Sequence, residues 1–169
     1  ALSDVYIKLM IRYFRPLAVF ALASTLSSTV DAAYRITVQD RADIERIETY
    51  LNTVNSLRSK FVQISTGGRI ADGTIYIDRP KRLRLEYKNP PNIHVYVSGD
   101  WLAHVDTELE AVWHVPLQYT PAEFLVRDKI SLSGDITIER VVRDSQTITL
   151  SVIRTAEPDS GKIEFIFSD

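Results

Sequence analysis

The sequence predicts an α+β domain, mainly antiparallel β, in which a strongly twisted sheet wraps over an N-terminal helix and a short second helix. Three observations carry this. Apolar and polar residues alternate in about nine separate runs, the period of a sheet with one buried face and one wet face. Clusters of Gly, Pro, Asn, Asp and Ser separate consecutive runs, as turns require. Only two stretches carry helical signals. Mostly consecutive strands with few helices leave a sandwich, a closed barrel and an unclosed barrel open.

The chain has 169 residues with 45% apolar content, enough for one domain with a sizeable core. Lys8, Arg12 and Arg15 precede the apolar run 17–23, and small residues follow as far as Ala33. These are the three zones of a secretory signal peptide, so cleavage is expected after Ala32 or Ala33. The apolar run falls short of the about 20 residues a membrane-spanning helix needs. Met10 is the only methionine, so residues 1–9 read as sequence upstream of the start, and residues 34–169 as the domain. Without residues 1–33, 17 basic side chains face 20 acidic ones, a balance that offers no field for nucleic acid. Export would permit disulfides, yet there is no cysteine, so stability must come from burial.

From Asp40 to Leu57, Ile44, Ile47, Leu51, Val54 and Leu57 recur every three or four residues and predict an amphipathic helix, with Asp40 as its cap. The run 60–65 leads into the Gly-Gly turn at 66–69. Gly73 to Asp78 puts Ile75 and Ile77 on one face. Arg79-Pro80 then breaks the run, because proline lacks a donor and restricts its predecessor. Leu83, Leu85 and Tyr87 resume the alternation. Strands follow at 93–97, 101–105 and 109–115. Thr120-Pro-Ala-Glu123 has the spacing of a capping box and predicts a helix running to about Asp128 with Phe124 and Leu125 on its apolar flank. Strands at 136–138, 148–152 and 163–167 complete the chain.

Four motifs in this order and spacing, Gly73 to Pro80, Leu83 to Tyr87 with Pro90 behind it, Val97-Ser-Gly-Asp-Trp101, and Thr120-Pro121, resemble the LolA-type outer-membrane lipoprotein carriers from about Ile44 onward. The resemblance implies an unclosed half β-barrel with a hydrophobic cavity under a lid of helices, located in the periplasm. It implies a monomeric carrier that accepts lipoproteins from an inner-membrane ABC-type exporter, shields their acyl chains and hands them to an outer-membrane receptor. It also implies that Arg79 latches the lid through hydrogen bonds to helix backbone. The receptor of such a pathway is itself a lipoprotein, so the missing cysteine favours the carrier. Two departures stand out. Family members continue past Asp169 through further strands, so the sheet is expected to be incomplete with an exposed edge. Leu83 and Leu85 occupy inward positions where aromatics are expected.

Each site reading has a plainer counterpart. Arg79 is either the latch or a solvated strand-end arginine. Ile75, Ile77, Leu83, Leu85, Tyr87, Val95, Val97, Phe124 and Leu125 either line an acyl cavity or form an ordinary core. His94, His104 and His114 lie ten residues apart on separate strands and invite a zinc site, but they alternate with apolar neighbours as water-facing residues do, so no metal or cofactor is expected. No nucleophile elbow, phosphate loop or His-Glu-x-x-His run is present, so no catalytic residue is assigned. Beside the carrier stand a half-barrel lipid-binding sensor or accessory domain and, from another class, a secreted hydrolase or metal-binding protein.

Overall fold

A computed structural model describes residues 5–11 and 34–168. In chain order the elements are β1 Val5–Ile11, α1 Val38–Thr53, β2 Ser56–Ser65, β3 Ile70–Asp78, β4 Arg82–Asn89, β5 Ile93–Ser98, β6 Trp101–Asp106, β7 Ala111–Pro116, α2 Ala122–Leu125, β8 Ile136–Arg143, β9 Thr147–Arg154 and β10 Gly161–Ser168. The strands form one sheet in the order β7-β6-β5-β4-β3-β2-β1-β10-β9-β8. Its edges, β7 and β8, do not pair, so the architecture is the unclosed half-barrel. Neighbouring strands are antiparallel except β1 and β2, which run parallel.

All nine expected strands are present, and β1 is a tenth. Val5–Ile11 lies in the part expected to be upstream of the domain, yet it pairs with β10 on one side and β2 on the other. Its own alternation explains why: Val5, Ile7 and Leu9 are buried, while Lys8 meets Glu164 across the ladder at 2.8 Å. β10 lies between β9 and β1, and the sheet's unpaired edges are β7 and β8. The expected cleavage site after Ala32 or Ala33 falls outside the described residues.

The inner face carries the core. Ile75, Leu85 and Val95 lie opposite one another across β3, β4 and β5, and Ile77, Leu83 and Val97 form the next row. At Gly73, where the register between β3 and β4 shifts, an added Cβ would lie 2.0 Å from the Glu86 carbonyl oxygen. On the other half, Ile148, Leu150, Val152, Ile163, Phe165 and Phe167 point inward from β9 and β10. From α1, Ile47 and Leu51 are buried against this surface, and Tyr50 meets Phe167 edge-on with ring centroids 5.8 Å apart.

The helix begins and ends earlier than its apolar spacing predicts. Thr37, not Asp40, is the cap, and Asp40 occupies the third helical position of a reciprocal capping box: the Thr37 hydroxyl accepts from Asp40 N–H, and the Asp40 carboxylate accepts from Thr37 N–H. Leu57 belongs to β2. Asp40 and Asp43 are both buried and bind Arg143 at the end of β8, with Arg143 Nη2 at 2.8 Å from Asp40 Oδ1 and Nε donating to Asp43 Oδ2. The Tyr34 hydroxyl also donates to Asp40, at 2.8 Å.

The Thr37 N–H, with the Tyr34 hydroxyl and Arg143, holds the Asp40 carboxyl well below the usual carboxylate range, against the opposing effect of burial. A depressed folded-state value means stability that is fully present above the unfolded carboxyl's pKa near 4 and lost as pH falls toward the folded value. Arg143→Ala is expected to cost about 2 kcal/mol, below the usual price of breaking a fully buried pair because Arg143 is itself partly exposed. Urea denaturation at pH 7 measures that loss. Repeating it down to pH 3 should show the parent losing stability as the unfolded chain's carboxyl takes up its proton while folded Asp40 keeps its charge.

Candidate functional site

Arg79 leaves the end of β3 and reaches the underside of both helices. Its Nε donates to the Leu125 carbonyl at 3.0 Å, and its Nη1 donates to the carbonyls of Val54, at 3.0 Å, and Leu51. Its backbone N–H donates to the Asn55 carbonyl at 2.8 Å. The last carbonyls of a helix have no partner within it and form the negative end of its dipole, so one cation with a fixed fork of donors satisfies the ends of α1 and α2 together. Burial draws the guanidinium pKa down, but from a value so high that it stays charged at neutral pH. Arg79, at the end of a strand, is thus bonded to the backbone of both helices.

The segment so held is shorter than expected. α2 spans only Ala122–Leu125, and the Thr120–Glu123 capping box does not form. The Thr120 hydroxyl donates to the Leu117 carbonyl instead, and the Glu123 carboxylate receives Arg127 Nε and Nη2 at 2.8 and 2.7 Å. Arg127 also donates to Asp135 at 3.1 Å, and these partners, Glu123 foremost, raise its pKa. Beyond α2 the chain stays against α1. Asn52 grips the Ile130 backbone at both ends, its amide nitrogen 2.9 Å from the carbonyl oxygen and its amide oxygen 2.9 Å from the N–H. Glu48 accepts from Leu132 N–H at 2.7 Å. Lys81 N–H donates to the Val126 carbonyl at 2.8 Å.

Sequence reasoning missed Asn52, Glu48 and Arg127. Glu48 and Asn52 are four residues apart and so share one side of α1. That pairing was the available signal, but polar residues on a helix ordinarily face water.

Between the two helices and the sheet lies one continuous apolar cluster. Ile75, Ile77, Leu83, Leu85, Val95 and Val97 are all buried, as are Phe124 and Leu125, and Tyr87 packs against them with its ring edge-on to Phe61 at 5.0 Å. Phe124 reaches across to Phe165, 6.2 Å between centroids. Val126, Ile130 and Leu132 are buried in the same cluster. With the segment down, the interior is filled by the protein's own side chains. An apolar crevice of about 20 Å³, about enough for one water, lies beside Phe124. The rows run on past the covered area. Val95 continues to His104 and Trp113, and Val97 to Leu102 and Val115, where Trp113 is 48% exposed and Val115 37%.

The histidines do not converge. His104 lies in the inner-face row with Val95, whereas His94 and His114 pair with Val105 and Ala103 and occupy the opposite face. His104 packs against Trp113, 5.5 Å between ring centroids.

An open sheet, an apolar inner face and a short segment tied across it by backbone hydrogen bonds can exchange one apolar cover for another without covalent chemistry. Residues 52–166 match the family described as outer membrane lipoprotein carrier protein LolA, which is most of the chain. The chain belongs to the LolA family. A second similarity is weaker: the chain is 21% identical over 122 residues to the uncharacterized protein RP864 of Rickettsia prowazekii (strain Madrid E), an alignment that covers 72% of this chain and 57% of that protein. The LolA match begins at Asn52 and takes in Arg79, α2 and every strand from β2 to β9.

Asn52→Ala removes both bonds to Ile130. At roughly 1 kcal/mol each, they set an expected rise of about thirtyfold in hydrogen exchange at Ile130 and Leu132, with exchange in β3 unchanged. Amide-resolved exchange by mass spectrometry or NMR reads this directly.

Proposed function

We propose that this chain is a periplasmic carrier that binds the acyl chains of lipoproteins without covalent chemistry. It receives them from an ABC-type exporter in the inner membrane and delivers them, as a monomer, to a receptor at the outer membrane. The observation that carries the reading is that the inner face is covered by residues 122–132, a segment with a single helical turn, through contacts converging on Arg79, Asn52 and Lys81. A strand in that place would be bound by a full ladder; this segment is held at a few points and can leave. Family membership supports the cargo class, and the apolar surface at Trp113 and Val115 supplies a place for a guest's tail before the segment moves.

On this reading Arg79 is the latch. Ile75, Ile77, Leu83, Leu85, Tyr87, Val95 and Val97 form the wall a tail lies on, and Phe124 and Leu125 are the residues it displaces. The mature protein would begin at Ala33 or Tyr34 after cleavage of the leader. β1 lies on the leader side of that site, so export by this route removes β1 from the covalent chain. N-terminal sequencing of protein recovered from the periplasm checks this, and recovery of chains that still carry Val5–Ile11 would count against a cleaved leader.

The empty protein is expected to bind a fluorescent fatty acid at 1:1 stoichiometry. Arg79→Leu should remain folded by circular dichroism and change the rate at which the fatty acid enters and leaves, measured by stopped-flow fluorescence. Absence of binding in both the parent and Arg79→Leu would overturn the carrier reading. Normal rates in Arg79→Leu would remove only the latch.

A further inference from the structure

A second space adjoins the latch from outside. It is an open cleft of about 580 Å³, walled by the turn Pro80-Lys81, by Asp100-Trp101, by Pro116 to Gln118 and by the end of the lid from Val126 to Lys129. That size is ordinary for a small-molecule site. Its apolar walls, Leu117 and Val126, belong to the buried cluster under the lid, so the cleft and the interior share a partition. Its rim carries Lys81, Arg127 and Lys129 against Asp100, Glu123 and Asp128, three charges of each sign. Lys81 pairs with Asp100 at 2.6 Å, and both side chains are more than half exposed.

Resting on the carrier reading above, we propose that this cleft holds the polar head of the cargo: the glyceryl ester and the first peptide residues of an acylated polypeptide. Amphiphile chemistry places it there. Tails drawn beneath the lid leave the ester and amide groups at the point of entry, where they must keep hydrogen-bond partners. A rim with donors and acceptors in equal number suits neutral esters and a peptide backbone, which carry both kinds of group. It gives an anionic phosphate no net attraction, since each cation is matched by a carboxylate and Lys81 and Arg127 are already paired with Asp100 and Glu123. Trp101, 54% exposed, offers a flat apolar side with an N–H donor at its edge.

The cleft is also mechanically joined to the lid. Lys81 N–H holds the Val126 carbonyl at 2.8 Å, while the Lys81 carbonyl accepts from Gly99 N–H at 3.1 Å. Lifting α2 therefore parts one wall of the cleft from the other, and the head group enters as the tails do.

The test compares two probes on the full chain, palmitate and a synthetic peptide with a dipalmitoylglyceryl cysteine at its N-terminus. Trp101→Ala and Gln118→Ala lie on the exposed rim, outside the covering segment, and should leave the fold intact by circular dichroism. Each is expected to weaken lipopeptide binding at least fivefold while palmitate binding stays within twofold of the parent. Equal weakening of both probes, or of neither, overturns the head-group assignment and leaves the carrier reading standing. If the parent binds neither probe, the carrier reading falls and the assignment with it.

Discussion

The constraint on which this structure depends is that an unclosed sheet cannot cover its own inner face. A closed barrel buries its wall against the opposite wall, and a sandwich against a second sheet. Here β7 and β8 stay apart, so the wall formed by β3, β4 and β5 must be covered by residues from outside the sheet. α1 supplies Ile47 and Leu51, and the segment after β7 supplies Phe124, Leu125, Val126, Ile130 and Leu132. The second contribution has almost no secondary structure of its own. Its backbone is satisfied piecewise, by Arg79, Asn52, Glu48 and Lys81.

Magnitudes show why such a cover suits reversible binding. A sixteen-carbon acyl chain fully withdrawn from water gains about 12 kcal/mol at about 0.8 kcal/mol per methylene. Taken alone that is close to irreversible. The five buried lid side chains surrender about 10 kcal/mol when exposed, at roughly 2 kcal/mol each. On the carrier reading proposed above, a guest that evicted them would bind with only the difference, further reduced by the Arg79 hydrogen bonds and raised by each additional tail. On that reading a permanently empty cavity would hold its cargo too tightly to deliver it.

Much of the sheet was legible because period-two alternation survives wherever one face is buried, as in Ile75-Tyr76-Ile77 and Leu83-Arg84-Leu85. The placement of Arg79 was reached through family resemblance, since a lone arginine before a proline carries no such message by itself. Three features were not legible, each for its own reason. β1 alternates properly, but it precedes a basic and then apolar run, and a strand beside a leader-like segment is not separable from it by composition. Thr120 and Glu123 have capping-box spacing, yet the Leu117 carbonyl and Arg127 outcompete the local bonds, a tertiary override of a local signal. Asn52 and Glu48 share one side of α1, but their partners lie about eighty positions away, so that spacing does not say what they bind.

The buried carboxylates of α1 bear on a different property of the half-barrel, its width. Arg143 sits at the end of β8, the outermost strand on one side, and binds Asp40 and Asp43 at the opposite end of α1 from the Arg79 contacts. The helix therefore works as a cross-brace, pinned ionically to one rim and by hydrogen bonds near the middle of the sheet. The brace spans from β8 to the end of β3. On the carrier reading proposed above, that span would keep a fixed gauge while the cover moves, set by a helix that takes no part in opening.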